Sequence, residues 1–264
     1  VTREVVEGDR ERFGVFDCEF VAVNHSIPDG LAVAIRTPAG QLVLHTGDFK
    51  LDLNPVDGRL TDLSVMGAIA QNEGIRLLLS DSTNADSPGH SRSETSVGAV
   101  LYNVMHAHEG RRLIVTCFAS HIHRVQQVAD AAQSFGRRVA TLGLSMKKNV
   151  ALARKLGVLR IPDSVLIDIE DIESLPPGDV CVISTGSQGE PMSALARLAA
   201  GDNRWLEIQE TDTVILSSHP IPGNETGVTK VIDGLTRLGA KVVHTGHVDV
   251  HATGHAKQEE LKTI

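Results

Sequence analysis

The sequence predicts an α/β protein built in two parts. From about Glu94 onward, apolar runs of strand length alternate with stretches of ten or more residues at helical spacing. That is the pattern of α/β layers with mostly parallel strands. Before that point, apolar runs follow one another across tight turns, as in hairpins. A third observation is chemical. Two early runs stop at polar turns, Phe20–Asp29 (FVAVNHSIPD) with His25 and Leu42–Asp52 (LVLHTGDFKLD) with Asp48. Imidazole and carboxylate on neighbouring strand ends can hold Zn²⁺, although either residue alone is more often part of a turn.

The elements follow in order. Val1–Phe16 shows no clear period and reads as helix or loop. Phe20–Val23, Leu31–Arg36 and Gln41–His45 read as strands, the last two joined at Thr37-Pro38-Ala39-Gly40. Asp62–Asn72 is a helix closed by Gly74, and Ile75–Leu79 a buried strand ending in Ser80-Asp81. Asp86–Ser91 is a polar loop and a natural boundary. Beyond it the spacing predicts helices over Glu94–His108, His121–Phe135, from Ser145, over Pro191–Ala200 and within Gly223–Leu238. Strands are expected at Leu113–Phe118, Arg138–Leu142, Val165–Ile167, Asp179–Ser184, Thr213–Ser217 and Lys241–His244.

The 264 residues, 41% hydrophobic, suffice for one large or two moderate domains. No apolar run approaches the roughly 20 residues that cross a bilayer. The opening VTREVVEGDRER is charged from the start and does not read as a signal peptide. Cys18, Cys117 and Cys181 are widely spaced, and two lie in apolar runs, so buried reduced thiols in a cytoplasmic protein are expected. A net charge of −8 excludes a generally basic coat for nucleic acid, though not a local phosphate-binding groove. With aromatics at 3%, extensive base stacking is also excluded, and any nucleic-acid contact should fall on phosphate and sugar.

Three later segments are polar turns between a strand and a helix. Cys117–Arg124 (CFASHIHR) offers Ser120 as helix cap, with His121 and Arg124 three residues apart. Ser184–Pro191 (STGSQGEP) can turn backbone N–H groups around Ser187, Gln188 and Gly189 onto an anion, with Pro191 at a helix start. It lacks the Gly-Lys-Ser/Thr ending of a P-loop. Ser217–Glu225 (SSHPIPGNE) adds Ser218 and Asn224. Ordinary capping with solvated side chains is the alternative for each. His247, Asp249 and His251 alternate and would share one face of a strand, which could form a separate metal cluster or simply a solvated run.

Taken together, NHSIPDG, HTGDFKLD, LLLSDSTNAD, STGSQGEPMSAL and HATGHA resemble the ribonuclease J branch of the metallo-β-lactamase fold, in the β-CASP group. The resemblance runs over nearly the whole chain. It implies a partial metallo-β-lactamase αββα sandwich with an inserted parallel α/β β-CASP domain. Residues 1–85 would be the metallo-β-lactamase part, 86–243 the β-CASP domain and 244–264 the return. It implies a zinc-dependent 5′→3′ exoribonuclease with endonuclease activity, serving bacterial RNA processing and decay in the cytoplasm. The substrate would be single-stranded RNA, preferably 5′-monophosphorylated, and the full-length protein a homo-oligomer. His25 and Asp48 would be metal ligands, and Asp81 and His255 would act near the scissile phosphate. Ser120, His121, Arg124, Ser187, Gln188, Gly189, Ser218 and Asn224 would hold the RNA backbone.

The family's HxHxDH motif is absent, and so is the histidine of its motif C. His106-Ala107-His108 and His121-Ile122-His123 lack the following Asp-His. The chain thus reads as an internal piece in which the family's two-zinc site is incomplete. Three expectations follow: His25 and Asp48 share one metal; the SHIHR and TGSQGE loops face a common groove with Asp81 and His255 at its deep end; and the chain binds Zn²⁺ weakly and cleaves RNA slowly or not at all. The rival readings are a non-catalytic RNA- or phosphate-binding piece and a metallo-β-lactamase-type hydrolase of a small ester or thioester.

Overall fold

A computed structural model describes residues 2–264, leaving Val1 outside. The chain forms two compact units: one runs to Thr95 and resumes at Thr253–Ile264, the other is Ser96–Ala252.

In the first unit, strands β1 (Arg10–Phe13), β2 (Phe16–Ala22), β3 (Leu31–Arg36), β4 (Leu42–His45) and β5 (Leu77–Leu79) form one sheet in that order. The first three pairings are antiparallel and β4–β5 is parallel. The stretch that sequence reads as helix or loop therefore contains a strand. β1 has no apolar alternation because it is a charged edge, held by Arg10 Nε on Asp17 Oδ1 at 3.0 Å. Helix α1 (Leu63–Glu73) starts where Asp62 accepts the Val65 N–H and stops at Gly74, whose φ of +75° suits glycine. Val21, Val23, Ala32, Ala34, Leu42, Leu44, Phe49, Met66 and Ile69 make the core. The expectation of a buried β5 is corrected: Leu77, Leu78 and Leu79 are 50%, 40% and 45% exposed, because β5 is a sheet edge paired only with β4.

In the second unit, strands β6 (Arg112–Thr116), β7 (Arg138–Leu142), β8 (Val180–Ser184), β9 (Asp212–Leu216) and β10 (Lys241–His244) are all parallel, in the order β10-β9-β6-β8-β7. Every residue of β8 and β9 is buried, as strands covered on both faces must be. Alternation sends Leu113, Val115, Cys181, Ile183 and Ile215 to one face. There they meet α2 (Glu94–His106), α3 (Ile122–Ser134) and α4 (Leu144–Lys155). Ile114, Val180, Val182, Val214 and Leu216 go to the other face, against α5 (Ala194–Ala199) and α6 (Glu225–Arg237).

Three local expectations change. Val165–Ile167 makes only a single bridge, Leu166 to Val139. Pro191 does not start a helix: Met192 takes a left-handed φ of +64°, and α5 begins behind Ser193, whose side chain accepts the Ala196 N–H. The units also divide later than residues 86 and 244. Ser91 and Glu94 bond to Glu260 and Asp52 of the first unit, while Val250 and Ala252 lie in the core of the second. This is an α/β protein with a partial metallo-β-lactamase fold and a parallel β-CASP sheet.

Candidate functional site

Four polar side chains gather in the first unit, three of them following apolar segments and His255 in a polar turn. Asp48 follows β4 through Gly47, which turns at φ +61° close to Leu31 O. His25 lies beyond β2, and Asp81 just beyond β5. His255 stands in the returning segment, shaped by Thr253 Oγ1, which accepts both the His255 N–H and the Asn84 amide.

His25 Nδ1 lies 2.7 Å from Gly254 O. A carbonyl only accepts, so Nδ1 carries the proton and Nε2 presents a lone pair. Nε2 is 3.8 Å from Asp48 Oδ2. A side chain at Gly254 would meet the His25 ring at 2.8 Å, so only glycine lets the two segments approach. His255 Nδ1 donates to Asp81 Oδ2 at 2.7 Å, which again points Nε2 outward. The two imidazoles meet edge to face with centroids 4.9 Å apart. His25, Asp48 and His255 each offer one ligand atom, all within 4.8 Å of one another, the only such group among the described residues. His45, Gly47, Asp48, Leu79, Asp81 and Thr83 line an adjoining cavity of about 460 Å³.

The electrostatics match this arrangement. Burial lowers the His25 pKa, outweighing the raising bond to Gly254, so its imidazole stays neutral, the form that binds metal. Burial would raise the Asp81 pKa, but the bonds from His255 and from Thr83 hold it well below the usual carboxylate range. The same bond to Asp81 raises His255. The donor set fits one cation with two imidazoles and a carboxylate, plus a carboxylate behind one histidine. It is too small for a pair of cations.

The loops of the second unit look different. β6 and β8 are adjacent, so the SHIHR and TGSQGE loops leave the same end of one sheet. Most of their polar groups, however, are used internally. His121, not Ser120, caps α3, accepting the Arg124 N–H. The assignment of Arg124 to an RNA contact is corrected: its guanidinium is fully buried, donating to Ser217 O at 3.1 Å, to Ser217 Oγ and to Val250 O at 3.0 Å. Gln188 is buried, donating to His219 O and accepting the Ile221 N–H. The Ser218 hydroxyl is spent on Ser187 O, and both serines are buried. Ser120 is exposed, and Gly189 and Asn224 are half-buried. The alternation of His247, Asp249 and His251 does not define a strand face, because the chain turns at His247, whose N–H bonds His244 O.

Sequence reasoning missed two parts of the site. One is His255 as a third ligand atom beside His25 and Asp48. The other is Thr46, fully buried, whose hydroxyl accepts the Asp81 N–H at 2.9 Å. The pairing of turn residues from distant segments leaves no local periodicity to find.

Comparison with known proteins agrees with this architecture. Residues 110–235 match the family described as ribonuclease J, beta-CASP domain. The chain is 51% identical over 258 residues to Ribonuclease J of Mycobacterium tuberculosis (strain ATCC 25618 / H37Rv), covering 98% of this chain and 46% of that protein. It is 47% identical over 263 residues to Ribonuclease J of Thermus thermophilus, covering 99% and 45%. The chain thus spans about half the length of the curated relatives it matches. A crystal structure of a protein of unknown function from Enterococcus faecalis V583 shares the fold, with a TM-score of 0.66 at 17% identity, over 99% of this chain and 59% of that one. The second unit is a β-CASP domain. Residues 110–235 belong to the family described as ribonuclease J, beta-CASP domain, and the chain is similar to part of Ribonuclease J over nearly its whole length.

Proposed function

We propose that the chain is part of a metal-dependent ribonuclease of the ribonuclease J type, acting 5′→3′ and also endonucleolytically on single-stranded RNA, with a preference for 5′-monophosphorylated ends. The single observation that carries this reading is the joining of the His25–Asp48–His255 group to Asp81, through an imidazole whose outer nitrogen stays free. His25, Asp48 and His255 would hold a cation such as Zn²⁺, which when bound polarises phosphoryl oxygen and lowers the pKa of water. The remaining steps fall to the chain's own groups. Asp81 fixes the His255 tautomer, so that Nε2 is the atom turned toward the cation. Ser120, Gly189, Asn224 and the backbone N–H groups of their loops would meet phosphate, without sequence preference. Cytoplasmic location and a homo-oligomer of the full-length protein belong to the same reading. No helix among the described residues is long and apolar enough to cross a membrane.

The test pairs zinc analysis and hydrolysis of 5′-monophosphorylated RNA by this chain with the same assays on a form extended at both ends to the length of its relatives. The extended form should bind zinc tightly and degrade RNA; failure of both would overturn the reading. The chain by itself should bind zinc weakly and cleave slowly, because three ligand atoms supply one cation and not a bridged pair. Residual RNA affinity should fall as salt rises.

A further inference from the structure

We propose that Glu260 is a positioning residue for His255, a role that rests on the reading of the site given above. Glu260 is fully buried, on the short helix α7 (Gln258–Leu261). Its Oε1 accepts the Leu51 N–H at 2.8 Å and the Ser91 hydroxyl at 2.8 Å. Its Oε2 accepts the Ser91 N–H at 2.6 Å and the Lys257 N–H at 2.9 Å.

A glutamate at this point of a capping box ordinarily reaches back to one backbone N–H beside solvent. The bond to Lys257 is that ordinary one. The other three are not local. Leu51 stands three residues after Asp48, Ser91 ten after Asp81, and Lys257 two after His255. One carboxylate therefore ties together the three segments that carry Asp48, Asp81 and His255. Two further bonds run alongside: Ala256 N–H to Phe49 O at 2.6 Å, and Phe49 N–H to Asp81 Oδ2 at 3.2 Å. A buried carboxylate is tolerated only where donors surround it, and four donors in fixed directions leave it one place to sit. Moving it would turn His255 away from Asp81 before it disturbed the sheet.

The experiment reads His255 itself, in the metal-free 264-residue chain. Imidazole ¹⁵N shifts report which ring nitrogen carries the proton and whether Nδ1 is hydrogen-bonded. Glu260→Gln should abolish the Nδ1-protonated, Asp81-bonded pattern of His255. Ser91→Ala removes one partner of Glu260 and should move the same signals in the same direction by less; it decides the matter if Glu260→Gln does not fold. Asp52→Asn is the control. Asp52 is also a buried carboxylate of this unit, accepting the Glu94 and Asn54 N–H groups and pairing with Lys50. Its loss should lower the urea midpoint while leaving the His255 pattern as in the parent chain. Parent-like His255 shifts in the Glu260 and Ser91 variants, or an equal change in Asp52→Asn, would overturn the proposal. Because neither metal nor RNA is present, a failure here is distinct from a failure of the nuclease reading.

Discussion

At the scale of single residues, the Asp81–His255 pair makes a prediction about pH. The folded pKa of His255 lies above its ordinary 6.5, so its stabilisation is complete below that value and is lost as pH rises through the folded one. The folded pKa of Asp81 lies below its ordinary 3.8, so its contribution is present above that value and is lost as pH falls through the folded one. The pair should therefore stabilise most between about pH 4 and pH 6.5. Urea unfolding of the parent and of His255→Gln should differ most near pH 5 and least near pH 9. A difference independent of pH would show that the two groups do not form an ion pair. Thiol chemistry gives a second expectation. All three cysteines are buried and outside any disulfide, and burial pushes the Cys181 thiol up to about 12. A thiol reagent should leave Cys181 unlabelled in the native chain and label it after denaturation.

At the scale of elements, the loops behind β6, β8 and β9 are knit by their own side chains. Substituting Arg124 should cost stability before it costs RNA affinity. In Arg124→Met the Ser217 carbonyl loses a buried donor, at about 1–3 kcal/mol, while the Val250 carbonyl keeps the Ser217 hydroxyl. Denaturant unfolding measures that loss; unchanged stability with weakened RNA binding would restore Arg124 to the RNA surface. Gly189 is a sharper case. It sits at φ +68°, and a Cβ there would lie 2.3 Å from the backbone of Gly227 in α6. Gly189→Ala should destabilise by about 1–3 kcal/mol through overpacking, with strain added, visible as a lower melting temperature.

These cases show what was legible in the sequence. The parallel sheet was, because its strands are continuous apolar runs between helices of amphipathic spacing. His25, Asp48 and Asp81 drew notice because each follows an apolar run, and His255 only through its likeness to a family motif. Arg124, Gln188 and Ser218 were not legible, since the same polar letters serve equally for phosphate contact and for tying loops together. Burial separates the two uses, and it is set by segments about 30 to 126 residues away. β1 was missed because a charged edge strand has no apolar period.

At the scale of the whole molecule, under the proposed nuclease reading, the net charge of −8 and the sparse aromatics leave phosphate contact as the main route to RNA. Affinity for two unrelated single strands of equal length should therefore be similar and fall together with added salt. Strong discrimination between them, persisting in high salt, would point to base recognition instead.

The two margins of the first sheet are unequal, and this bears on how the chain behaves in a tube. β1 presents Arg10, Glu11 and Arg12, charges that discourage another strand from pairing. β5 presents three half-exposed leucines and an open row of backbone groups, a template for growth between molecules. Concentrated solutions should scatter light increasingly with time, and seeds of the same chain should shorten the delay. A single gatekeeping charge, Leu78→Lys, should suppress the scattering while leaving the circular dichroism of the fold unchanged. Equal turbidity in both proteins would place the growing surface elsewhere.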